Sequence, residues 1–293
     1  MESGLIIATM TKLTKLFSIF FLILLSHTNM AQNNDFEAGL FNVGIGSVLG
    51  GIGAVINKEP QEKFGKTLLK GLGQGALGGY LVFESKRLVR EFAKYGNYGY
   101  VWPSKIVNSA GTSIIENAAA NRDFWTRWHL NIGFNRFELN TNESFKMSYR
   151  IMPFAFYSTI ANATEGNLNL GKSLKLGTFV FTTSEIEMPN NKYANGFNRT
   201  NSIVVINNLI GSSTEAHELI HTYQYESFSG INSFLDGHQK NFSNHSKFYK
   251  TYSKIFYTDF NAILNSGLYQ IETWTAKKYE DNFFEEEAFY FSK

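Results

Sequence analysis

Residues 212–227 read SSTEAHELIHTYQYES. Ser212 and Glu215 have the S-x-x-E spacing of a capping box, which predicts a helix start. Ala216, Leu219, Ile220 and Tyr223 fall at i, i+3, i+4 and i+7, an apolar stripe for the buried face of that helix. His217 and His221 stand four apart, so their imidazoles project from the same side one turn apart. At that separation both rings can reach one metal ion, and neutral imidazole suits Zn2+ at about 2.0–2.1 Å. Glu218 completes an H-E-x-x-H pattern. Placed beside a metal-activated water, it could take up a proton and release it again.

A catalytic zinc site needs a third protein ligand and an open position. The downstream candidates are Asp236, His238, His245 and the run Glu285, Glu286, Glu287. The chain ends DNFFEEEAFYFSK, where Asp281 or Asn282 could cap a short helix with an acidic first turn. The aromatics Phe283, Phe284, Phe289 and Tyr290 argue that this helix is buried. Tyr223, His238 and His245 are candidate donors to an oxyanion. Just upstream, Ser202-Ile203-Val204-Val205-Ile206 reads as a strand.

The stretch AHELIHTYQ, residues 216–224, resembles the H-E-L-x-H-x-x-Q helix of bacterial zincin-like proteins. The metzincin extension is absent, because Gln224 and Ser227 occupy the positions of its glycine and third histidine. The gluzincin type resembles this chain better. In it the third ligand is a glutamate on a later helix, often in E-x-x-A, and the resemblance selects Glu285 of Glu285-Glu286-Glu287-Ala288; Glu287, in an E-A pair, is the alternative. The next residue is Phe289, where the family pattern has Asp or Asn. The resemblance further implies zinc as cofactor and Glu218 as the catalytic base. It also implies a strand at the rim of the cleft, for which Ser202–Asn207 is the natural candidate, and peptide or protein substrates. The expected function is that of an exported zinc-dependent metallopeptidase. A non-catalytic zincin-like envelope protein with a binding or structural role is the other reading, motivated by the long N-terminal half.

That half opens with an address. In TKLTKLFSIFFLILLS, residues 11–26, Lys12 and Lys15 precede the apolar run Leu16–Leu25, and Ala31-Gln32 follow: a secretory signal pattern covering residues 1–31. The expected location is therefore the periplasm, outer envelope or extracellular space. Next come AGLFNVGIGSVLGGIGAVIN, residues 38–57, and KGLGQGALGGYLVFESK, residues 70–86. Gly46, Gly50 and Ala54 recur every four residues, as do Gly71, Gly75 and Gly79. Glycine costs roughly 1 kcal/mol per site inside a helix, so the stripes call for close backbone packing. Two readings follow for residues 38–83: a hairpin in or on a membrane, with Pro60 in its turn, or a tightly packed hairpin inside a soluble domain. ESKRLVREFAKYG continues as a basic amphipathic helix, either interfacial or solvated, and another helix is expected over 104–120.

In the middle, Trp128, Leu130, Ile132 and Phe134 alternate with polar residues. So do Phe145, Met147, Tyr149 and Ile151, and Leu174, Leu176 and Phe179 to Phe181 continue the pattern. This predicts an antiparallel meander with its apolar face buried and His129, on the polar face, in solvent. The fold class is α+β: Gly-rich N-terminal helices, the meander, then the H-E-x-x-H helix and C-terminal helices. Residues 32–125 form the helical region and 126–293 the sheet and metal-binding domain. Across the 293 residues there are 27 basic and 25 acidic side chains and no cysteine. Thiol nucleophiles, disulfides and iron–sulfur centres are excluded, and the balanced charge gives no basis for nucleic-acid binding.

Overall fold

The computed structural model describes residues 34–142, 145–188, 192–209 and 211–293; the signal segment 1–31 lies outside them. Helices α1 (Asp35–Ile56) and α2 (Phe64–Tyr95) form an antiparallel hairpin. Asn34 caps α1 by accepting the Glu37 amide, and Gly96, at φ 63°, ends α2. The glycines explain how the two helices meet. A Cβ on Gly46 would strike the Gly75 carbonyl, one on Gly50 the Gly71 carbonyl, and one on Gly79 the Asn42 carbonyl. Helix α3 (Val101–Ala119) joins in the same way, because a Cβ on Gly78 would lie 2.6 Å from the Gly111 carbonyl oxygen and one on Gly111 2.6 Å from that of Gly78. The stripes are thus the seams of a three-helix layer, the close backbone packing that both readings of the hairpin call for. The basic continuation of α2 is neither interfacial nor solvated throughout, since Val89 and Phe92 are fully buried. Among the described residues α1 alone is long and apolar enough to cross a membrane, with a window of mean hydropathy 1.8 of which 44% is buried. An apolar helix this near the N-terminus is compatible with export.

Strands β1 (Arg127–Ile132), β2 (Asn135–Asn140) and β3 (Lys146–Ile151) form the antiparallel meander. The expected orientation is overturned. His129, Asn131, Arg136 and Glu138 are buried against α3, while Phe137, Met147 and Tyr149 are exposed on the other face. The inward polar face is tolerable because its charges are paired. Arg136 donates to both oxygens of Glu116 (3.1 and 2.6 Å) and to Glu138 (2.8 Å), and Arg150 also binds Glu138. The Tyr257 ring covers the Arg136 guanidinium at 3.7 Å. His129, far from solvent, lies between Thr112 (3.0 Å) and Ser113 (3.1 Å).

After β3 come α4 (Pro153–Glu165), β4 (Asn167–Leu168), α5 (Leu170–Leu176) and β5 (Phe179–Thr183). Leu174 and Leu176 are therefore helical. Asn169 caps α5 by accepting the Lys172 amide and Gly177, at φ 62°, terminates it; these local signals override an alternation of only three residues. The short strands β6 (Glu187–Met188) and β7 (Lys192–Tyr193) pair with each other. β8 (Gly196–Arg199) and β9 (Ser202–Ile206) complete a second sheet of order β4-β5-β9-β8, in which β5 and β9 run parallel and the other pairs antiparallel.

Helix α6 (Ser213–Ser227) follows, then α7 (Asp236–His245), α8 (Lys247–Ile255), α9 (Asn261–Thr275) and α10 (Phe283–Phe291). The mixed content is α+β. One apolar core unites the two halves of the chain: Phe83, Val89, Phe92 and Val101 pack with Val180, Ile203, Leu219, Ile220, Tyr223 and Phe291.

Candidate metal centre

Helix α6 is anchored by its apolar stripe, since Ala216, Leu219, Ile220 and Tyr223 are all fully buried. Its N-terminus is held differently from the expected capping box. The Ser212 hydroxyl donates to the carbonyls of Phe92 and Ala93 at the end of α2, and Glu215 accepts from Tyr98 and Lys172. Tertiary partners replace the local cap and fix the register of α6 on α2.

With the stripe inward, His217 and His221 turn toward α10. Their Nε2 atoms lie 3.2 Å apart. Glu285, in the first turn of α10, brings Oε2 to 3.1 Å from His217 Nε2 and Oε1 to 3.4 Å from His221 Nε2. Asn282 sets that turn by accepting the Phe284 amide. One ligand atom from each of the three residues lies within 4.8 Å of the others, so the group could hold a metal ion. The histidine side chains keep 11% and 13% of their surface exposed, enough for solvent to reach the group. Among the described residues, His217, His221 and Glu285 are the set that could hold a metal ion.

The charges follow from burial and crowding. Burial opposes ionisation of Glu285, but the hydrogen bonds from both histidines outweigh it and hold the carboxyl well below its usual range. Burial pushes His217 down. Burial works the same way on His221, yet the Glu285 carboxylate and the Glu218 and Gln224 partners carry it up to about 9. Burial raises the Glu218 carboxyl to about 8, eased by His221 and reinforced by Glu285.

Strand β8 lies alongside Glu218. A Cβ on Gly196 would be 3.1 Å from Glu218 Oε1, so glycine leaves room for that carboxylate. Asn198 donates to the Glu218 carbonyl (3.1 Å) and to Thr222 (2.8 Å), tying strand to helix. The rim strand expected at Ser202–Asn207 is displaced by one: β9 is paired on both sides, and β8 is the outer strand beside α6.

Other sequence candidates lie elsewhere. Glu287 is fully buried, but Oε1 accepts from Lys86 (2.7 Å) and Asn42 (2.9 Å) and Oε2 from Gln224 (2.9 Å); two residues along the helix, it faces away from the histidines. The Tyr223 hydroxyl meets Ser104 at 2.6 Å in the core, on the opposite side of α6. His238 and His245 sit exposed on α7 and do not join the group. Asp236 pairs with Arg122. Phe289 packs its ring 4.6 Å from that of His217.

Two residues of the site had no sequence signal. Tyr269 on α9 donates to Glu285 Oε1 at 2.6 Å, and Tyr279 lies close enough for the Glu285 charge to act on its phenol. Burial and the Glu285 charge raise both phenols, keeping them protonated donors. In a chain with 15 tyrosines, only the packing of α9 against α6 and α10 singles them out. Comparison with family models, with curated proteins and with solved structures gave no match.

Proposed function

We propose that this chain is an exported zinc-dependent metallopeptidase of the gluzincin type. The observation that carries the reading is the convergence of His217 Nε2 and His221 Nε2, 3.2 Å apart, on the two oxygens of Glu285, at 3.1 Å (Oε2) and 3.4 Å (Oε1), with Glu218 next to His217 on the same helix. Neutral imidazole nitrogens and one carboxylate are the donor chemistry that zinc accepts. Zinc held there would supply Lewis acidity, acidifying a water and polarising a substrate carbonyl.

The chain's own residues do the rest. Glu218, beside His217 on the same helix, would accept the proton of the attacking water and hand it to the leaving amine. Tyr269 donates its hydroxyl to Glu285 and would hold that carboxylate in place. The outer edge of β8 offers backbone groups to an extended peptide, which would add as a further strand next to Glu218. The apolar N-terminal run supports export.

A binding role without hydrolysis is the second reading, favoured by the outward apolar face of the first sheet, where Phe145 and Met147 are 85% and 79% exposed. Hydrolysis of a mixed peptide library by wild type and Glu218→Gln separates the two. Zinc-dependent cleavage lost in Glu218→Gln supports the peptidase. Zinc retained with no cleavage by wild type supports the binding role.

A further inference from the structure

Below the zinc ligands a buried polar relay leads from His221 into the glycine hairpin. The Gln224 side chain, one turn beyond His221, donates its amide NH2 to the Phe284 carbonyl oxygen (2.8 Å) and to Glu287 Oε2 (2.9 Å). A peptide carbonyl and a carboxylate are both acceptors, so the NH2 end of Gln224 has to face them. That leaves its carbonyl oxygen, Oε1, 2.8 Å from His221 Nδ1. An acceptor there requires a proton of His221 to sit on Nδ1, so Nε2, the nitrogen facing His217 and Glu285, is the one left to give up its proton to a metal.

Glu287 is held as an acceptor by Lys86 of α2 (2.7 Å) and Asn42 of α1 (2.9 Å), all of them buried. Both can reach one carboxylate because α1 and α2 touch backbone to backbone at this level, where a Cβ on Gly79 would strike the Asn42 carbonyl. The glycine seam, the Lys86–Glu287 pair and the metal helix are thus one connected construction.

We propose that Gln224 and Glu287 are positioning residues that set the tautomer and ring orientation of His221, and that the α1–α2 hairpin exists to hold them. This rests on the metal reading of the site. It gives the N-terminal half a part in the site and supplies the orienting contact that the Phe289 position lacks.

The test is Zn2+ affinity, measured by chelator competition, together with the visible absorption of the Co2+-loaded protein. Wild type is compared with Gln224→Met and with Glu287→Gln. Met keeps the volume and removes the acceptor for His221. In Glu287→Gln the amide oxygen at 287 can still accept from Lys86 and Asn42, while its NH2 meets the Gln224 NH2, so the contact that orients Gln224 is lost. Both variants are expected to weaken Zn2+ binding by roughly 10- to 100-fold and to shift the Co2+ bands. Gln224→Met binding Zn2+ as tightly as wild type with unchanged Co2+ bands would overturn the proposal. If Gln224→Met does not fold, Glu287→Gln decides by the same two readouts. Wild type that binds no Zn2+ removes the metal reading itself, a result distinguishable from failure of the relay.

Discussion

The glycine seam makes a quantitative prediction about two alanine substitutions in α2. At Gly78 a Cβ would lie 2.6 Å from the Gly111 oxygen, 2.7 Å from Ile115 Cγ1 and 3.0 Å from the Ile115 nitrogen. Ordinary contacts begin near 3.5 Å, so α2 and α3 would have to part by roughly 0.8 Å, and a gap of that size forfeits up to about half the dispersion energy of the neighbouring contacts. Overpacking of this kind costs about 1–3 kcal/mol, and two of the three obstructing atoms are backbone, which cannot rotate away. Against this, alanine gains roughly 1 kcal/mol over glycine in a helix interior. The net expectation for Gly78→Ala is a loss of about 0–2 kcal/mol. Gly73 is the internal control: it lies on the exposed side of the same helix with open space around its Cα. Gly73→Ala should therefore stabilise by roughly 1 kcal/mol. The two variants should differ by about 1–3 kcal/mol, on the order of 2–12 °C in Tm, read by thermal unfolding in detergent-free buffer and checked by urea titration. If the seam faced lipid rather than protein, both would behave alike. Equal Tm values, or Gly78→Ala the more stable, would refute the packed-hairpin account.

Further predictions concern the sheet and the site. Burial, with the Arg136 charge beside it, holds His129 down to about 4, against 6.5 when unfolded. A depressed folded value means stability that is complete above pH 6.5 and is lost as pH falls toward 4. By pH 5 this residue alone should remove about 2 kcal/mol, and His129→Gln in EDTA should shrink the pH 7 to pH 5 loss by about that amount. An unchanged slope would contradict its burial as a neutral ring. Glu218→Gln should lower peptide cleavage by roughly 10²–10⁴-fold while retaining zinc; cleavage at the wild-type rate would remove Glu218 from the chemistry. Tyr269→Phe keeps the ring but deletes the 2.6 Å bond to Glu285, so zinc affinity should fall by roughly 10- to 100-fold with Tm of the metal-free protein little changed.

The helices of the candidate site were legible because their signals are local. The buried stripe of α6 and the Asn282 cap of α10 stand as the spacing predicts, and the four-residue glycine repeats mark the α1–α2 seam. Three features were not legible, each decided by distant partners. The meander turned its polar face inward because Glu116 on α3 waits there for Arg136, a pairing of residues 20 apart in sequence that alternation alone cannot reveal. Ser212 has the residue type of a cap but spends its hydroxyl on the end of α2, 120 residues upstream. Glu285 and Glu287 lie on one helix in one acidic run, and only the positions of Lys86 and Asn42 show which of them turns from the histidines. The tyrosines of the site escaped for the same reason, since nothing near them in sequence points at Glu285.

The central claim is that His217, His221 and Glu285 together hold zinc. It is tested most directly by metal analysis of the purified protein beside His217→Ala, Glu285→Ala and Glu287→Gln, each confirmed as folded. The account predicts about one zinc per chain in wild type, loss of the metal in His217→Ala and Glu285→Ala, and bound but weakened metal in Glu287→Gln. Wild type without zinc, or Glu285→Ala retaining it at wild-type affinity, would contradict it.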